Sequence, residues 1–93
     1  MATAHARHIL VSTKDQATAL GIQIAAGADF GEMARQHSSC PSSAQGGDLG
    51  DFGPGQMVPE FDVVIWDEAV GEVHGPVKTD FGYHLIEIVS REE

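Results

Sequence analysis

The chain has 93 residues, of which 42% are apolar and 20% charged, the usage of one ordinary globular domain rather than a disordered segment. Fourteen acidic residues against five basic ones leave a net charge of −9, which argues against nucleic acid and anionic membrane surfaces as partners. Cys40 is the one cysteine, so no internal disulfide can form.

The first segment, His5 to Ser12 ("HARHILVS"), is rich in β-branched and long apolar residues and predicts a strand over about Ala4 to Val11. His5 and His8, three apart, fall on opposite faces of it. Thr13 and Gln16 form a capping box that starts a helix, with Ala17, Leu20, Gly21 and Ile24 on one stripe and Gly27 placed to end it. Asp29 and Glu32 form a second capping box. Phe30, Met33, Ala34 and His37 follow at helical spacing until "SSCPSS" breaks the pattern.

The stretch "GGDLGDFGPGQMVPEF", Gly46 to Phe61, combines turn chemistry with large apolar side chains, more than a connecting loop needs. Leu49 to Phe52 reads as a brief strand. Pro59 suits the first turn of a third helix, with Phe61, Val64 and Ile65 on one face and Trp66 beside them. Gly75-Pro76-Val77 opens another strand, and Thr79 to Gly82 is a hairpin turn. "YHLIEIVS" is the clearest strand of all. His84, Ile86 and Ile88 share one face; Tyr83, Leu85, Glu87 and Val89 share the other. The order of elements implies an α+β fold with a small, mainly antiparallel sheet. No repeat or linker interrupts residues 1–93, which read as a single domain.

Four blocks carry a resemblance to a known family: "HARHILV", "GADFGEMARQHSSCPSS", "GGDLGDFGPGQMVPEFDVVI" and "GPVKTDFGYHLIEI". In that order and spacing they resemble the parvulin-type peptidyl-prolyl cis/trans isomerases, over nearly the whole chain. The resemblance implies a four-stranded sheet surrounded by three to four helices, with the site over one sheet face. It implies that His8 and His84 are the family's paired histidines, Cys40 its cysteine-or-aspartate position and Thr79 its polar residue near the second histidine. Leu49, Met57 and Phe61 become the wall for a proline ring, with Phe52 close by and Phe81 at a position where bacterial members carry an aromatic.

The phospho-dependent branch of the family has a long basic loop after the first strand. Here "STKDQ" follows directly and offers only Lys14, and the WW domain common in that branch is absent. The chain resembles the short, stand-alone bacterial parvulins, or an isolated isomerase domain of a larger folding factor; the stand-alone type is the expectation. The expected function is rotation of Xaa-Pro bonds in flexible polypeptides, without covalent chemistry, cofactor, metal or phosphate specificity. The alternative is a chaperone-like module that holds chains with little catalysis. The expected partners are proline-containing polypeptides, the expected state a monomer, and the expected location the cytoplasm, since no leader-like apolar run opens the sequence.

Overall fold

The computed structural model describes residues 2–92; residues 1 and 93 of the expected 1–93 domain lie outside the described residues. Eight elements follow in chain order. They are β1 (Thr3–Val11), α1 (Lys14–Ala25), α2 (Phe30–His37), a 3-10 turn (Pro41–Gln45), β2 (Asp48–Phe52), α3 (Pro59–Asp67), β3 (Val73–Thr79) and β4 (Gly82–Glu92). The strands form one sheet in the order β2-β1-β4-β3, and all three pairings are antiparallel.

Local chemistry starts the first two helices. Thr13 Oγ1 accepts the Gln16 N–H and Asp29 Oδ2 accepts the Glu32 N–H, so each side chain satisfies one of the orphan amides of a first turn. The second box is not closed by its acid. Glu32 instead accepts from the Arg35 and Gln36 side chains one turn further along the helix. The third helix has no side-chain cap and relies on Pro59 at its first turn.

Alternation along the two central strands divides the core in two. On one face Ala4, Ala6, Ile86 and Ile88 pack with Phe52 and with Phe61 and Ile65 of α3. On the other, Ile9, Val11 and Leu85 pack with Ala17 and Leu20 of α1 and Phe30 and Ala34 of α2. The expected split of β4, Ile86 and Ile88 against Tyr83 and Leu85, is what the two clusters contain.

β3 begins earlier than the sequence suggests. Gly75-Pro76 reads as a start, yet the strand runs from Val73, with an irregular register between His74 and Val77 that lets the glycine and proline sit inside it.

Candidate active site

The site grows from strand parity. His8 on β1 faces the same way as Ala4 and Ala6, and His84 on β4 the same way as Ile86 and Ile88. Cross-strand pairing sets His8 opposite Ile86 and Leu10 opposite His84, so the two histidines are diagonal neighbours on adjacent strands. Both rings are buried, and their Nδ1 atoms lie 3.1 Å apart.

Two hydroxyls extend that contact into a line of four. Thr79 faces the same way as Val77, the cross-strand partner of His84, and its Oγ1 lies 2.7 Å from His84 Nε2. At the other end Ser42 Oγ lies 3.2 Å from His8 Nε2. The Phe81 N–H also donates to Thr79 Oγ1. Each neutral ring has one nitrogen that donates and one that accepts, so the four groups can satisfy one another in series, from Thr79 to Ser42 or from Ser42 to Thr79.

Burial keeps both rings uncharged at neutral pH. It lowers the His8 pKa to about 4, helped by repulsion from the second imidazole. Burial also lowers the pKa of His84, and the Glu60 carboxylate pulls weakly in the opposite direction.

The 3-10 turn that brings Ser42 to His8 is fixed at both ends. Pro41 occupies its first turn and Gly46 closes it in the left-handed conformation. Gly47 then runs against β1: its carbonyl accepts the His8 N–H, and a Cβ at Gly47 would stand 2.3 Å from the His8 carbonyl oxygen. Only glycine allows that approach.

The apolar wall has unequal parts. Phe61 is 3% exposed, and its ring meets both imidazoles edge-on, with centroids 5.7 Å from His8 and 5.9 Å from His84. Phe52, at 5% exposure, lies in the core beneath. Leu49 and Met57 are half-buried against the same cluster. Phe81, in the β3–β4 turn, is 69% exposed. The loop before α3 is held by side-chain acceptors: Gln56 takes the Gly53 N–H, and Asp62 takes both the Gly55 N–H and the Trp66 Nε1–H.

Cys40 caps the 3-10 turn and is half-buried, but among the described residues its thiol makes no hydrogen bond to either histidine. Ser42, two residues on, makes that contact instead. Nothing in the sequence separates Ser42 from Ser38, Ser39 and Ser43; the turn geometry alone selects it. Among the described residues, no three His, Cys, Asp or Glu side chains converge to hold a metal ion. Chemically, the arrangement offers an apolar wall beside a neutral hydrogen-bonding line.

Comparison with known proteins places the chain by family and fold. The Rotamase family, a PPIC-type PPIase domain, matches residues 5–90. Foldase protein PrsA of Geobacillus sp. (strain WCH70) is 47% identical over 89 residues, which cover 95% of this chain and 32% of that protein. The crystal structure of PrsA from Bacillus anthracis superposes with a TM-score of 0.95 at 35% identity, covering 99% of this chain and 43% of the other. NmPin, the parvuline of Nitrosopumilus maritimus, gives a TM-score of 0.86 at 36% identity, covering 97% and 98% of the two chains. The chain spans about a third of the length of the curated PrsA relatives it matches. With the family matched across both histidine strands and the fold superposed from end to end, the chain belongs to the PPIC-type rotamases, the parvulin class of peptidyl-prolyl isomerase domains.

Proposed function

We propose that this domain accelerates cis/trans rotation of Xaa-Pro bonds in flexible polypeptides, non-covalently and without a preference for phosphate. The observation that carries the reading is the placing of Phe61, which joins the apolar wall to both histidines of the buried line.

The chemistry follows from the amide. Resonance sets a rotation barrier near 18–20 kcal/mol, while cis and trans Xaa-Pro forms differ by only about 0.5–1 kcal/mol. A catalyst must therefore bind the twisted amide better than the planar one. Twisting breaks the resonance and shrinks the amide dipole, so an apolar surface suits the twisted form better than water does. In this reading Leu49, Met57 and Phe61 hold the proline ring, with Phe52 supporting them from below and Phe81 adding apolar surface at the rim. The carbonyl side of the bond turns against that anchor. Thr79, His84 and His8 fix the floor of the site, and the Ser42 hydroxyl and Cys40 border the turning group. No proton need change hands, so the imidazoles act as supports and not as acid and base.

Exchange NMR on a panel of Xaa-Pro peptides tests this, with the domain added in catalytic amount. The expected result is faster exchange for every peptide, and no gain for phosphoserine-proline over glutamate-proline. A phosphate gain lost at high salt would overturn the second half. Peptide binding with no change in exchange would establish the holding module instead.

A further inference from the structure

A groove lies across the sheet from the histidines. Helix α1 and the edge strand β3 stand apart there, and a cavity of about 540 Å³ opens between them. Ala17, Gly21 and Ile24 of α1 form one wall, Val73 and Pro76 of β3 the other, with Leu85 of β4 at the base. Leu85 belongs to the α1/α2 core, whereas its neighbour Ile86 belongs to the α3 core, so β4 separates the groove from the histidine line. Clefts that take up a ligand run to about 300–1,000 Å³ and are mostly apolar. Ile22, also part of the lining, is 65% exposed.

Gly21 keeps this space open. It sits in the interior of α1, where glycine is disfavoured against alanine. Packing does not demand it: a Cβ at Gly21 would meet only the Leu85 methyls, at 3.6 and 4.0 Å, ordinary contact distances. A side chain there would strengthen the helix and fill the cavity, so the open groove is maintained at a cost to the fold. Its charge is one-sided. Among the described residues the lining holds one carboxylate, Glu72, and no lysine or arginine. A second carboxylate, Glu68, stands 3.9 Å from Nδ1 of His74, another lining residue, whose Nε2 is bonded to the Ala69 carbonyl. The groove is thus apolar along its walls and acidic where β3 begins.

We propose that the α1/β3 groove holds an apolar segment of an unfolded polypeptide, with a lysine or arginine of that segment directed at Glu72. The apolar side chains of the segment cover Ile22 and occupy the room beside Gly21. Burial of apolar surface supplies most of the hold, and the exposed charge pair adds modestly. Holding there needs no proline, so the groove is a second polypeptide site that does not rest on the isomerase reading above.

The test follows amide NMR shifts of the intact chain during titration with a proline-free peptide of leucines between terminal lysines. Shifts are expected at Thr18, Gly21, Ile22, Val73 and His74, and not at Phe61. Gly21→Leu, which fills the groove, should weaken binding about tenfold or more, and Ile22→Gln, at an exposed position, about threefold. Gly21→Ala should raise the melting temperature. Both Gly21 variants should exchange short Xaa-Pro peptides at the wild-type rate. A glutamate-flanked analogue should bind about two- to fivefold more weakly, the gap closing in Glu72→Gln and near 1 M salt, where screening reaches about 3 Å. Shifts centred on Phe61, no shifts at all, or an affinity indifferent to Gly21→Leu and Ile22→Gln would overturn the groove and leave the isomerase reading standing. So would groove shifts that follow the chain's own concentration without peptide, the mark of a second copy, or a lower melting temperature in Gly21→Ala, which would show that packing requires the glycine. Acceleration of no Xaa-Pro peptide would overturn the isomerase reading alone.

Discussion

The two faces of the sheet are built from the same alternation of apolar residues, and they differ in what interrupts it. On the α1/α2 face the interruption is Arg7, which is ion-paired to Glu87 and stacked 5.0 Å from the centre of the Phe30 ring. On the α3 face it is a pair of neutral imidazoles bounded by two hydroxyls. The α1/α2 face has a cavity of about 540 Å³, lined by Ala17, Gly21, Ile24, Val73, Pro76 and Leu85 among others. Small and aliphatic side chains make most of that lining, and no buried polar line ends there. This cavity and the buried polar line thus lie on opposite faces of the sheet. The difference teaches that strand parity can put a polar network into a core position at no cost in unpaired groups.

The sharpest way to break the comparison is to truncate one phenylalanine on each face. Phe30 and Phe61 are both 3% exposed, so Phe30→Ala and Phe61→Ala should each destabilise by about 3–5 kcal/mol. That is a large part of the stability of a small domain, so Phe61 is a core residue as well as a wall. Measured on the folded fraction at low temperature, Phe61→Ala should lose most isomerase activity while Phe30→Ala keeps it. Equal activity in the two variants would place the proline wall elsewhere.

Acid should distinguish the faces next. The folded pKa of His8 is about 4, below its ordinary 6.5, and that of His84 is also lowered. Between those limits the unfolded chain binds protons that the folded chain refuses, so stability rises with pH there. It is complete above about pH 6.5 and falls, by roughly 3 kcal/mol for His8, as pH drops toward 4. Isomerase activity should be nearly flat from about pH 6.5 to 8.5 and decline together with stability below that. Single His8→Ala and His84→Ala variants leave a polar group unpaired and should each cost about 1–3 kcal/mol. The double His8→Leu/His84→Leu variant should regain part of that loss and flatten the acid dependence. Melting curves and rates across pH check all three. Single variants of full stability but no activity, with a bell-shaped wild-type profile, would restore the histidines as proton-transfer groups.

The smallest effect belongs to Cys40. Its thiol bonds to neither histidine, so Cys40→Asp should fold and retain activity within a few-fold of wild type. A folded, inactive variant would show that the thiol itself acts on the substrate.

Much of this was legible along the chain. The two helix starts followed from Thr13 and Asp29, whose side chains bond the amides three residues on. The facing of His84 followed from the period of two in β4. The bounds of β3 were obscured, because Gly75 and Pro76 have breaker chemistry and only pairing with β4 holds them in a strand.

By itself, then, the sequence determined the elements, the two apolar faces and the histidine positions, since these depend on contacts within a few residues and on helix and strand periods. The tertiary structure alone decided the order β2-β1-β4-β3, which sets His8 and His84 side by side across 76 positions of chain. It alone chose Ser42 over three neighbouring serines and over Cys40, by clamping Gly47 to His8 so that one hydroxyl reaches the ring. The physical reason is common to these cases. A hydrogen bond or a charge pair needs a partner at about 3–4 Å, and in this fold those partners come from remote segments that only the packed sheet brings together.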